Sequence, residues 1–338
     1  MKMLKRNIVK IVLISLCLFV LTINPVIAAV KFVSIATGST GGTFYPVGVI
    51  FATTFGDELK DSGYRFSAHA SGGSSENLEM IRNKEIKMAI VGSVPVATAY
   101  QGVGEYEGKA IENVRFVASL WPEAIQLVYR INSGIERLAD FKGRKIAVGP
   151  AAGGGSIYLP IIFKEVAGMT FDDFNPQYLG YDNSVQAIQN RLVDACYQGA
   201  GLPTAGVSQL YAGQVPVGMI EFTNEEIEKV KKVAPYFTRV VIERETYPKQ
   251  DKDLQVIGVK SSLVAEKDLD DDIVYKMLEV IYKTKLDALK KQHGALKILS
   301  LDEAILGLSG APLHPGAVKF YRDNNVDVPD SLIPPEMK

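Results

Sequence analysis

Three short stretches of the chain combine glycine with hydroxyl side chains in a way that could do chemistry. They are Gly38-Ser-Thr-Gly-Gly-Thr43, Ser71-Gly-Gly-Ser-Ser75 and Ala151-Ala-Gly-Gly-Gly-Ser156. Glycine lets backbone come close to a bound group with its N–H exposed, and Ser and Thr add hydroxyls. A helix starting after such a loop adds the positive end of its dipole. Together these features can hold an anion without Lys or Arg. Any one such loop also serves as a plain tight turn; three of this composition favour binding.

Catalytic patterns fit less well. A nucleotide P-loop needs Gly-Lys-Ser/Thr at its end, and no Lys follows any of the three loops. The dinucleotide fingerprint needs an acid closing the second strand, where this chain has Ala68-His-Ala-Ser71. A hydrolase elbow needs Gly-x-Ser-x-Gly, and Gly154-Gly-Ser-Ile-Tyr158 lacks the last glycine. His314 precedes Pro315 and Gly316 and reads as a structural histidine. With no nucleophile–base pair to propose, binding without catalysis is expected.

The loops must be positioned by strands before them and helices after them. Lys31–Ala36, Tyr64–His69 and Met88–Val91 read as strands, with helices from Thr43 to Lys60 and from the second loop through Asn83. The pattern restarts with strands at Lys145–Val148, Gln177–Leu179 and Ala195–Gln198, and helices at Ser156–Ala167 and Ser184–Arg191. Such alternation predicts parallel sheets covered by helices. Asn183 with Gln186, and Thr223 with Glu226, fit capping boxes at helix starts. Two βα sets call for two sheets. Val114–Tyr129, broken by Trp121-Pro122, reads as one crossing between them, and Thr238–Ile242 as a second. The expected lobes are residues 30–121 with 240–338, and 122–239, with a cleft between and a hinge behind.

The first 29 residues stand apart. Lys2, Lys5, Arg6 and Lys10 precede an apolar run from Ile11 to Ile23, and small residues follow at Ala28 and Ala29. This is the order of an export leader removed near Val30, with an uncleaved anchor helix as the alternative. Cys17 follows bulky Leu16, so it reads as apolar filler rather than a lipid-modified cysteine. The leader holds four of the 37 Lys and Arg and none of the 38 Asp and Glu, so its removal leaves a net charge of −5. A mildly acidic surface argues against a nucleic-acid partner. Cys196 is then the one remaining cysteine, and with His69, His293 and His314 scattered, no metal site and no cofactor are expected.

In this order along the chain, several motifs resemble the TAXI receptors, the extracytoplasmic solute-binding proteins associated with TRAP transporters. They are Ala36-Thr-Gly-Ser-Thr-Gly-Gly-Thr-Phe-Tyr-Pro46, Gly72-Gly-Ser-Ser-Glu-Asn-Leu78, Leu138-Ala-Asp-Phe-Lys-Gly143 and Ile146-Ala-Val-Gly-Pro150. Ala200-Gly-Leu-Pro-Thr204, Thr246-Tyr-Pro248 and Leu313-His-Pro-Gly-Ala317 complete the set. The resemblance implies an α/β type II periplasmic-binding-protein fold, two lobes joined by a hinge. It implies a monomer in the periplasm that binds a small carboxylate, such as glutamate, glutamine or a dicarboxylate, and hands it to a TRAP permease. A same-fold receptor for an ABC importer or a sensor kinase, or a periplasmic enzyme on this frame, are the rivals.

Carried over by motif, the first-lobe contacts are Ser39, Thr40, Gly42, Thr43, Tyr45, Gly73, Ser74, Ser75 and Ser93. Those of the second lobe are Gly155, Ser156, Gly199, Gly201, Leu202 and Pro203. The chain departs from the family pattern at Ala151–Gly155 and at Gly92-Ser-Val94. Tyr45, in the first turn after its loop, could floor the cleft or pack beneath the helix. A ligand ammonium would need an acceptor, for which Glu76, Glu123 and Asp182 are placed, though each reads first as a cap or surface charge. Arg65 and Arg191 stand in reserve as buried cations should the loops not hold the anion.

Overall fold

The computed structural model describes residues 30–338. The leader expected over residues 1–29, Cys17 included, lies outside the described residues. The first βα units follow the sequence closely. Strand β1 (Lys31–Ala36) turns Val33 and Ile35 inward, and helix α1 (Phe44–Glu58) buries Val47, Phe51 and Phe55 at a spacing of one helical turn. β2 (Tyr64–His69) alternates buried and exposed as an edge strand should, then α2 (Ser74–Arg82) follows. β3 (Met88–Gly92) is buried throughout and runs parallel to β1, with α3 (Ser93–Gln101) after it.

A long strand then changes the picture. β4 (Val114–Arg130) has 17 residues and runs about 55 Å, beyond the reach of an ordinary strand. After it come β5 (Lys145–Ala147), α4 (Gly154–Ile162), β6 (Asn175–Gln177), α5 (Tyr181–Gln189) and β7 (Ala195–Ala200). Next are α6 (Ala205–Ala212), β8 (Val217–Met219), α7 (Asn224–Val233) and β9 (Thr238–Ile242). β10 (Leu254–Glu266) is the second long strand, followed by α8 (Asp271–Glu279), α9 (Leu286–Gln292) and α10 (Pro315–Asp323).

The strands form one sheet in the order β2-β1-β3-β10-β4-β7-β5-β6, with β8 added to β4 and β9 to β10. The sequence predicts two parallel sheets. Instead, only the outer strands pair in parallel, and β4 and β10 run antiparallel to each other and to β7 and β3. Together they tie the two halves into one ribbon. Register shifts between Lys260 and Ser262, and between Leu263 and Val264, break the ladder close to Pro122, which has no N–H to give.

The return crossing is therefore β10, not Thr238–Ile242. That segment is β9, which pairs Thr238 to Ile242 against Gly258 to Leu254, before the register shifts begin. A first apolar core draws on residues 33–121 and 263–333, while the others draw on residues between 124 and 259. Thr223 and Glu226 make the expected capping box at α7. Asn183 does not cap: α5 begins earlier, at Tyr181, after an extended Gly180.

Candidate functional site

Four helices begin on one cavity. Gly42, Thr43 and Phe44 line it from α1, Gly73 and Ser74 from α2, Gly153 and Gly154 from α4, and Tyr181 from α5. The first turn of a helix leaves its N–H groups without intrahelical partners and carries about half a positive charge. Among the described residues, no Lys, Arg or His lines this space. The cavity offers ≈ 40 Å³ to the centres of water-sized spheres. With a water radius added all round, that is roughly 200 Å³, the scale of a small organic acid.

Local backbone explains the glycines here. Gly73 holds φ at +117°, a conformation that side chains resist, and the turn brings its missing Cβ to 3.4 Å from Gly153 Cα across the cavity. Gly42 leaves space against the Tyr181 ring, 3.2 Å from where its Cβ would stand.

The rims of the two halves touch. Thr43 Oγ1 donates to Gly201 O at 2.7 Å, and Thr40 Oγ1 donates to Asp182 Oδ2. The Gly206 N–H donates to Gly41 O at 3.0 Å, and the Ser75 N–H to Ala152 O at 3.2 Å. The Gly201–Thr204 loop is held from behind by a buried network. Tyr247 Oη donates to Gln126, which donates to Thr204 Oγ1 at 2.8 Å, and Thr204 in turn donates to Gly201 O at 3.0 Å. Tyr247 belongs to the Thr246-Tyr-Pro248 motif, so that motif positions the loop from a distance.

Of the residues carried over by motif, Ser39, Gly42, Thr43, Gly73, Ser74 and Gly199 line the cavity. Thr40, Ser75 and Gly201 sit at the rim in the contacts just given. Tyr45 is half-buried and does not line it; its neighbour Phe44 does, with its ring edge-on to Trp121 at 6.1 Å. Ser93 and Ser156 also lie off the lining, their hydroxyls buried without a partner in the protein. Gly155 is buried in the first turn of α4, on the side facing the strand end, where a Cβ would come 1.8 Å from Val148 O. Leu202 is half-buried and Pro203 exposed, joined by a cis peptide bond.

Two lining side chains outside those carried over by motif matter most here. Tyr181 was hidden by the misplaced start of α5. Its hydroxyl accepts from the Gly199 N–H at 3.0 Å and donates to Gly199 O at 2.9 Å, tying α5 to the end of β7. Glu123 is the second: it is only 6% exposed, and neither a cap nor a surface charge. Desolvation holds its carboxyl well above the usual carboxylate range. Its signal was present in the sequence, as the one charged residue between Arg115 and Arg130 in an otherwise buried strand.

The remaining candidates resolve individually. Glu76 accepts from the Gly72 N–H at 2.8 Å as a local turn cap. Arg65 and Arg191 are exposed rather than buried. His314 is fully buried, and its Nδ1 accepts from the Gly316 N–H at 3.2 Å as the cap of α10. Burial lowers its pKa, so it is a neutral structural histidine. Cys196 is buried, its thiol pushed up to about 12 by desolvation, which keeps it unreactive.

Comparison with solved structures finds the same architecture. A protein described as a periplasmic transporter aligns over 89% of this chain and 93% of its own, at 15% identity and a TM-score of 0.52. A protein from Bordetella bronchiseptica RB50 aligns over 89% and 91%, at 18% identity and a TM-score of 0.50. The periplasmic aliphatic sulphonate binding protein SsuA from Escherichia coli aligns over 86% and 78%, at 14% identity and a TM-score of 0.46. The fold is the expected type II periplasmic-binding-protein fold, two α/β lobes with a cleft between them. A family model described as NMT1-like matches residues 35–324, and the chain belongs to the NMT1-like family.

Proposed function

We propose that this chain is an exported solute-binding receptor. It captures a small carboxylate, of the size of glutamate or a related acid, and delivers it to a membrane permease. One observation carries the reading: four helix N-termini meet on a cavity of that scale, and among the described residues no basic side chain lines it. An anion there is held by backbone N–H groups and hydroxyls, each bond to an ionised group contributing about 1.5–3 kcal/mol. The TRAP permease as the receiving partner rests on the resemblance to the TAXI receptors, and no catalysis is invoked.

Calorimetry against L-glutamate, 2-oxoglutarate and glutarate, with putrescine and glucose as controls, tests this. At least one acid is expected to bind and neither control; binding of a control but no acid would overturn the proposal. Export is tested separately. Protein recovered from the envelope fraction should have the intact mass of a chain starting near Val30. Retention of residues 1–29, or a lipid adduct on Cys17, would count against export as a free receptor.

A further inference from the structure

Glu123 is a carboxyl group buried in a site built to receive another carboxylate. It lines the cavity, and its Oε1 has no hydrogen-bond partner among the described residues. The groups packed around it supply no compensating charge. From α4, α5 and β7 come the phenols of Tyr158, Tyr181 and Tyr197, each raised further by burial and so neutral. On β10, Val259 stands opposite Glu123, and the adjacent Lys260 pairs with Glu303 at 3.5 Å. α1 contributes Phe44, and Asp182 at the rim is engaged by Thr40. An ionised Glu123 would sit without a counterion and would repel the bound acid.

We infer that Glu123 keeps its proton in the closed cleft and donates it in a hydrogen bond to the bound carboxylate, so that capture of the solute takes up one proton. This deepens the function proposed above and rests on it. The protonated carboxyl completes a lining made otherwise of N–H and O–H donors. In an open, water-filled cleft Glu123 is freed of that desolvation and ionises, and closure on the acid raises it again. The sign follows from linkage. Between the open-cleft and closed-cleft values affinity falls about tenfold for each pH unit gained, and below both it is flat.

Calorimetry with L-glutamate, 2-oxoglutarate and glutarate, in HEPES and in Tris near pH 7, measures the protons exchanged. Wild type is expected to take up about one proton per acid bound, with affinity declining as pH rises. Glu123→Gln keeps a donor but cannot titrate. It should show no uptake and bind more tightly than wild type at the alkaline end. Infrared spectroscopy gives a second readout on the acid-saturated protein: a protonated carboxyl stretch near neutral pH, absent from ligand-free wild type and from acid-saturated Glu123→Gln. Proton release on binding, the mark of a ligand ammonium on Glu123, would overturn the inference. So would pH-independent affinity, or absence of the carboxyl band. Binding without uptake leaves the receptor reading standing and removes only the role of Glu123. Failure of every acid to bind either protein removes the receptor reading, and this inference with it.

Discussion

Gly42→Val is expected to bind its acid at least about a hundredfold more weakly than wild type, a loss near 2.7 kcal/mol. A Cβ at this position meets the Tyr181 ring at 3.2 Å and Ser39 O at 3.3 Å, and a valine adds two more carbons. Tyr181 cannot retreat freely, because its hydroxyl is bonded at both the N–H and the carbonyl of Gly199. The valine therefore blocks the backbone approach at α1 and holds the rims apart. Thr43→Val is the milder comparison. It removes one hydroxyl and its bond to Gly201 O, and should cost about tenfold in affinity. Calorimetry on both variants, with thermal melts to confirm folding, checks the order. Equal affinity in Gly42→Val and wild type would place the site elsewhere.

Gly155→Ala should act on stability before it acts on binding, lowering the unfolding free energy by about 3 kcal/mol. The added methyl would lie 1.8 Å from Val148 O and 3.0 Å from the Tyr197 ring, and a backbone carbonyl cannot swing aside as a flexible side chain can. Relief requires moving the start of α4 away from β5, which loosens the apolar cluster around Tyr158 and Leu159. Urea unfolding is the measurement, with the midpoint read alongside the slope. A midpoint unchanged from wild type would show that α4 is held less tightly than its packing implies. The motif comparison assigns Gly155 to ligand contact; its surroundings assign it to seating the helix whose first residue, Gly154, does line the cavity.

What was legible in the sequence was local. Glycine with hydroxyls between a short β-branched run and a helical stretch marks a loop at the carboxyl end of a strand, and those loops do gather. What was not legible depended on register along a helix or on distant pairing. Phe44 and Tyr45 are adjacent and both aromatic; which of them faces the cavity depends on how α1 is rotated against β1 and Trp121. The start of α5 was read from side-chain capping at Asn183, yet Gly180 opens the helix by backbone conformation alone, bringing Tyr181 to the site. From the sequence, Thr238–Ile242 reads as the return crossing because the strand after it, Gln255–Val259, must join one of the sheets. A 13-residue strand passing through both halves has no shorter signature than its full length. Glu123 is named from the sequence only as one of three acceptors for an ammonium; its place inside a long buried run says more, since an acid there must either be paired or have a task.

The shared β4–β10 ribbon bears on how a chain of this fold diverges over evolutionary time. In proteins whose halves are separate modules, recombination can exchange one half and keep the other. Here any exchange point would cut two strands in the middle of their ladders and leave each fragment with raw hydrogen-bonding edges, an invitation to aggregate. The halves are heritable only together. New ligand preferences in this lineage must then arise by point substitution in the loops above the strands, while the ribbon beneath them is handed down whole.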